Sequence, residues 1–225
     1  MMANFEPINK QNTLSAQVLQ QIAQDIIQGK IAQGSKLVET NLAKTYKISR
    51  GPLREALLSL EDMNLAQRTP HSGARIITLT LNLMQEVYQI REALEGMAAR
   101  LATNNISPNE IKSLYQLLTK HEKSIVKGKG YLQAKGDLDF HGFIISKCGN
   151  NTLIEYLHNK LYYIVRMGKF CTNKLPFRSE IALREHRNIV DAISNNDGEL
   201  AEILMRRHIK GAWQHTKKIL FTEKT

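Results

Sequence analysis

Asp137 and His141 stand four residues apart in DLDFH, and on a helix that spacing lays a carboxylate and an imidazole on one face, within reach of a single ion. Later segments add His186 in REHRNIVDAI and His208 in MRRHI. Three imidazoles and one carboxylate suit a divalent transition ion, Zn²⁺ or Ni²⁺ ahead of Mg²⁺ or Ca²⁺, because nitrogen ligands disfavour the hard cations. Taken one at a time, each histidine also fits a satisfied core or surface position, so spacing leaves both readings open. A second group lies in SRGPLREALLSLE, residues 49–61, where Arg50 and Arg54 are four positions apart at the front of an amphipathic stretch. An arginine so placed can donate two hydrogen bonds to guanine O6 and N7 or clamp a phosphate, and only the first reads a base sequence.

The bulk properties limit what these groups serve. The chain has 225 residues, 42% of them hydrophobic, enough for two modest cores, and two domains are expected. The formal charge of +10 is spread out: residues 1–78 hold nine Lys/Arg against six Asp/Glu, and the remainder 22 against 15. Charge alone is therefore a weak pointer to a polyanion, and local pattern decides. No apolar run approaches the roughly 18 residues that span a bilayer, and MMANFEPINK lacks the features of a leader, so a cytoplasmic protein with no membrane partner is expected. Cys148 and Cys171 have no metal-like spacing and imply no disulfide framework. A metal-dependent enzyme built on the Asp/His set is the alternative reading. It lacks any G-x-S-x-G, H-E-x-x-H or phosphate loop, and GKG at 128–130 is too short to count as one.

Several elements must position Arg50 and Arg54. Residues 14–28 put Leu14, Val18, Ile22 and Ile26 on one stripe, stopped by Gly29. Residues 39–46 form a short helix with Leu42, Ala43 and Tyr46 inward. Ser49 then caps a third helix, with Pro52 in its first turn and Leu53, Ala56, Leu57, Leu60 and Met63 as its buried stripe. In LAQRTPHSGARIIT, two strand-like runs flank PHSG, where Gly73 can take positive φ. Three helices and a hairpin in this order predict a winged helix-turn-helix whose third helix enters the major groove. Arg68 and Arg75 flank the wing as phosphate contacts or surface charge.

From about residue 82 the chain reads as helix after helix. Leu83, Val87, Ile90, Leu94, Met97 and Leu101 mark the first, and Ser107-Pro108-Asn109-Glu110 is a capping box that opens the second. Further helices cover about 131–147, 151–170, 177–195 and 198–221. The expected class is mainly α, an N-terminal winged helix-turn-helix followed by an all-α antiparallel helical bundle. Its expected parts are a tail over 1–13, the DNA-binding domain over 14–78, a linker over 79–82, and an all-helical domain over 83–225.

LAKTYKISRGPLREALLSLEDMNLAQRTPHSGARI resembles the amino-terminal domain of GntR-type bacterial transcription regulators, whose pattern runs LA, then V-S-R-T-P-V-R-E-A-L, then a leucine-rich stretch and a glycine-ended wing turn. The resemblance implies that Arg50 and Arg54 contact a double-stranded DNA operator, that Ser49 and Gly51 approach its backbone, and that His71 and Gly73 belong to the wing tip. Gly51 stands where threonine is usual, and Thr40 where several relatives have arginine, so the operator sequence does not transfer.

Residues 82–221 are similar to the FCD effector domain of the FadR subfamily, through D-x-x-F-H, E-H-x-x-I-x-x-A-I and A-x-x-x-M-x-x-H in order. Six helices rather than seven resemble the shorter VanR-like variant. The resemblance implies that Asp137, His141, His186 and His208 hold the metal, and that a small carboxylate effector completes its coordination. Arg91, in the R-x-x-L-E of REALE, either meets that carboxylate or pairs with Glu95, and Arg166 and His215 are further candidates for the effector cavity. The protein so implied is a ligand-responsive homodimer on a palindromic operator, in the main a repressor.

Overall fold

The computed structural model of the protein describes residues 13–70, 73–126, 130–172 and 178–221, with the side chains at 124, 126, 130–137 and 172 outside the description. Two compact units emerge. Among the described residues, one holds 13–80 together with His158–Met167, and the other holds Leu81–Leu157 with 168–221.

In the first unit, Thr13 starts α1 (Leu14–Ile27) by accepting the Ala16 amide on its hydroxyl at 3.2 Å. Val18, Ile22 and Ile26 are buried as their spacing predicts, whereas Leu14 is 54% exposed. The first turn has no described element over it, so the stripe begins one turn later than periodicity implies. Gly29, at φ +73°, ends the helix, with Lys30 N donating to the Asp25 carbonyl. α2 (Glu39–Thr45) buries no residue fully, and Leu42, Ala43 and Tyr46 are half-buried rather than interior. The Tyr46 hydroxyl instead donates to Asp25 at 2.8 Å, and burial and then that bond push its pKa up.

α3 (Arg50–Asp62) packs on α1 through Leu53, Ala56, Leu57 and Leu60, all buried as expected. Its end is fixed by Asn64, at φ +56°, and Leu65 N donates to the Leu60 carbonyl. β1 (Ala66–Thr69) and β2 (Gly73–Ile76) pair antiparallel, with Ala66 opposite Ile76 and Thr69 opposite Gly73. Beyond β2 the short run around Lys36 adds two ladder bonds, Leu37 N to the Ala74 carbonyl and Ile76 N to the Ser35 carbonyl, which complete the wing. His158–Met167 sorts with this unit: Lys160 Nζ donates to the Asp62 carbonyl at the end of α3, and Asn64 Nδ2 donates to the Lys160 carbonyl. A cation at a helix C-terminus is favourably placed against the last carbonyls.

The second unit is a helical bundle. α4 (Leu81–Asn105) runs antiparallel to α10 (Gly198–Phe221), since Arg100 meets Glu202, Glu92 meets Arg206 and Tyr88 meets Thr216. α5 (Pro108–Val126) packs on α6 (Gly130–Lys147) and on α9 (Ser179–Ser194). The capping box forms: Glu110 N donates to the Ser107 hydroxyl, and the Glu110 carboxylate accepts from Ser107 N at 2.9 Å. α7 (Asn151–Tyr156), the π turn and α8 (Tyr162–Thr172) run end to end as one rod, so six rods follow residue 80 among the described residues.

The α4 stripe differs from its sequence reading. The buried face is Met84, Val87, Tyr88, Arg91, Glu95, Ala98, Ala99 and Ala102, while Ile90 and Met97 are 37% and 42% exposed. Three alanines allow α10 to approach closely, and the charged pair is satisfied within the interior, so the large apolar residues lie on the flank instead. Among the described residues no helix is long and apolar enough to cross a membrane.

Candidate metal centre and nucleic-acid face

α6, α9 and α10 bring His141, His186 and His208 together, each from a different rod. All three are buried, at 4%, 0% and 1% exposure. His208 Nε2 lies 3.1 Å from His141 Nε2 and 3.2 Å from His186 Nε2. Phe140 stacks on the His186 ring at 3.9 Å and is itself wholly buried, which fixes that imidazole in its plane.

The other ring nitrogens determine what the cluster can do. His141 Nδ1 is 2.6 Å from Glu95 Oε2, and His208 Nδ1 is 2.7 Å from Glu185 Oε2. An ionised carboxylate only accepts, so each Nδ1 carries the hydrogen and each Nε2 keeps its lone pair. The hydrogen-bond network thus assigns the tautomer. Glu95 is held below the ordinary carboxylate range: burial alone would raise its carboxyl, but the Arg91 guanidinium beside it, with the adjacent His141 Nδ1, lowers it. Two lone pairs facing each other at 3.1 Å are unfavourable without a cation between them. Nitrogens sharing a tetrahedral Zn²⁺, with Zn–N of about 2.0–2.1 Å, lie about 3.3 Å apart, so the three imidazoles fit such an ion. Histidine held by carboxylate on its far nitrogen is the usual support of a metal ligand.

The remaining candidates sort differently. The side chain of Asp137 lies outside the described residues. Arg91 donates from Nε to Glu95 Oε1 at 2.5 Å, so of its two readings the internal ion pair is the one formed. Arg166 Nη2 donates to Gln24 Oε1 at 3.1 Å and its guanidinium lies over Tyr162, contacts within the first unit. His215 is half-buried on α10, two turns past His208 and outside the converging set. Sequence reasoning named Glu95 only as a partner for Arg91 and missed Glu185 and Arg178. Glu95 had a signal, four residues after Arg91 on one helix face, whereas Glu185 serves a histidine on another helix and no spacing announces it.

On the α3 face, Ser49, Arg50, Gly51 and Arg54 are all exposed. Ser49 occupies the N-cap position but its hydroxyl makes no cap bond, contrary to expectation. Pro52, the third helical residue, has no N–H to offer a cap, and the hydroxyl takes none from Gly51 either. Arg54 Nε donates to Glu39 Oε2 at 2.8 Å, yet its side chain stays 63% exposed. A Cβ on Gly51 would meet nothing within 4 Å, so the fold does not require glycine there. Gly73 takes φ +79° at the start of β2, and His71 lies outside the described residues. Arg68 is paired with Glu61, and Arg75 donates to the Gly34 carbonyl, so both flanking arginines already have partners.

A three-helix, winged unit joined in sequence to a helical bundle with a buried histidine cluster is the arrangement of a one-component transcription regulator. Family models match at both parts, the gntR family of bacterial regulatory proteins over residues 14–76 and the FCD domain over residues 86–211. The chain belongs to the gntR family and is a DNA-binding transcription regulator with an FCD domain, not an enzyme. It is 28% identical over 216 residues to the HTH-type transcriptional regulator YdhC of Bacillus subtilis, covering 95% of each chain. It is 24% identical over 214 residues to the HTH-type transcriptional repressor RspR of Escherichia coli, covering 94% of this chain and 92% of that one. The solved structure of E. coli McbR/YncC superposes with a TM-score of 0.78 at 22% identity, over 92% of this chain and 98% of that one, a likeness of fold.

Proposed function

We propose that this regulator is a cytoplasmic homodimer, in the main a repressor, whose affinity for a palindromic operator is set by a small carboxylate bound at a divalent transition ion in the FCD domain. The observation that carries the reading is the convergence of the three buried Nε2 atoms with two of their Nδ1 partners fixed by carboxylates. His141, His186 and His208 hold the ion, with Asp137 as the fourth ligand, and Zn²⁺ or Ni²⁺ suits that donor set. Such an ion would offer open coordination positions to a carboxylate ligand.

Arg50 and Arg54 read or clamp the operator from the exposed front of α3, and Ser49, with its hydroxyl released from capping, and Gly51 approach the phosphates. His71 and Gly73 serve the wing tip. Two copies match two half-sites about one helical turn apart. Ile90 and Met97 on α4 and Leu200 and Ile203 on α10, all between 37% and 46% exposed, supply apolar surface for the second copy. Effector binding changes operator affinity through contacts that differ between two states of the dimer, a coupling of about 1–3 kcal/mol in such systems. The relative RspR is named a repressor, which supports that direction.

The test is a gel-shift titration of the metal-loaded protein on its own upstream DNA, with and without a panel of small carboxylates. A specific complex weakened or strengthened at least several-fold by one acid supports the reading. Specific binding that no acid and no chelator alters would contradict it.

A further inference from the structure

Taking the three histidines as ligands, we infer that Glu95 and Glu185 are positioning residues that lock His141 and His208 in the metal-binding tautomer, each held in place by its own arginine, Arg91 or Arg178.

Two arginine–carboxylate–imidazole relays meet head to head at the ion's position. In the first, Arg91 Nε donates to Glu95 Oε1 at 2.5 Å, and Glu95 Oε2 lies 2.6 Å from His141 Nδ1 as an ion pair. In the second, Arg178 Nη2 donates to Glu185 Oε2 at 2.8 Å, and that oxygen also takes His208 Nδ1 at 2.7 Å. The same Arg178 nitrogen donates to the backbone carbonyl of His208 at 3.1 Å, so this arginine ties the ligand down at both its ring and its main chain. Gly211, one turn further along α10, leaves room for this: a Cβ there would lie 2.9 Å from Arg178 Nη2.

The carboxylates matter for a reason that packing alone would not supply. A neutral imidazole can place its hydrogen on either nitrogen, and only the Nδ1–H form leaves Nε2 free to bind an ion. A carboxylate cannot donate, so it accepts one tautomer and rejects the other. A glutamine of the same shape can donate its amide hydrogen to Nδ1 and thereby favours the form that cannot ligate. The relays also differ in depth. Arg91 and Glu95 are each 4% exposed, whereas Arg178 and Glu185 are 17% and 31% exposed, so water competes more at the second pair. His141 is accordingly the firmly set arm of the site and His208 the more adjustable one.

The experiment uses the full chain as wild type, Glu95→Gln, Glu185→Gln and Glu185→Asp, with Zn²⁺ affinity measured by competition against a chromophoric chelator. In parallel, long-range ¹H–¹⁵N spectra of the metal-free protein at about pH 8, above the ordinary histidine range, report each ring's tautomer. Changing the outer support of a metal ligand typically weakens binding about 10–100-fold. We expect Glu95→Gln toward the upper end, Glu185→Gln toward the lower end with the His208 hydrogen moved from Nδ1 toward Nε2, and Glu185→Asp within a few-fold of wild type. Should Glu95→Gln not fold, the half-exposed Glu185 pair of variants still decides the matter. Unchanged affinity and unchanged tautomers in a wild-type protein that does bind zinc overturn the positioning role alone. A wild-type chain that binds no zinc or other transition ion removes the metal reading itself, and this role with it.

Discussion

His141 Nε2 and His208 Nε2 face each other across 3.1 Å although 67 residues separate them in sequence, and the far nitrogen of each ring is held by a carboxylate. The arrangement is poor for two bare imidazoles and good for two ligands of one cation.

His186 is wholly buried and stacked on Phe140. His186→Ala should lower metal retention by at least about tenfold, since losing a ligand costs no less than losing a ligand's support. Elemental analysis after gel filtration checks it, and unchanged metal content would remove His186 from the ligand set. Phe140→Ala should destabilise the bundle by about 3–5 kcal/mol, through lost burial and the cavity left behind, as read from denaturant unfolding.

Arg50→Ala and Arg54→Ala should leave folding intact, because both side chains are exposed. Each should weaken operator binding by about 1–3 kcal/mol if it reads a base, and less, with a shallower salt dependence, if it clamps a phosphate. Arg54 must exchange its Glu39 partner for DNA, so Glu39→Gln should tighten binding modestly. Gel-shift titration at two salt concentrations separates these outcomes, and full specific binding by the Arg50/Arg54 double variant would refute the assignment of this face.

Met97→Glu combined with Ile203→Glu should yield a monomer with unchanged far-ultraviolet circular dichroism, since both residues are more than 40% exposed. Analytical ultracentrifugation reads the result. A dimer of wild-type strength would show that the α4 and α10 flank is not the shared surface.

Glu110 contributes a pH-dependent increment to the start of α5. Its hydrogen bond from Lys147, followed by those from Ser107, holds its carboxyl at about 2, below the ordinary value of 4.5. A depressed carboxylate stabilises the fold above its unfolded pKa, and that stability fades as pH falls from about 4.5 through about 2. Solvent exposure limits the effect to about 0.5–1 kcal/mol, the scale of a surface pair or a cap. Comparing wild type with Glu110→Gln by urea unfolding should show a gap at neutral pH that closes in acid, and a constant gap would be the contrary result.

Much of the fold was legible because periodicity and caps are local. The α3 stripe, the Ser107–Glu110 capping box and the order of helices follow from spacings of three to four residues. Expectation failed where a tertiary neighbour decided the outcome. Leu14 lies on the right stripe yet is 54% exposed, and α4 turns alanines and a charged pair inward where its larger apolar residues had marked the core. Ser49 stands at the N-cap with no side-chain cap bond, where a proline removes one of the two amides a cap can accept. In the candidate centre the histidines were visible as residue types, yet Glu185 and Arg178 were not, since their roles depend on a helix that arrives from elsewhere in the chain.

Zinc K-edge X-ray absorption on protein carrying one equivalent of Zn²⁺ tests most directly whether three imidazoles of this regulator share one transition ion. The prediction is a nitrogen/oxygen shell at about 2.0–2.1 Å with multiple scattering from three imidazoles. A sulfur shell at about 2.3 Å, or a spectrum without imidazole scattering, would contradict it.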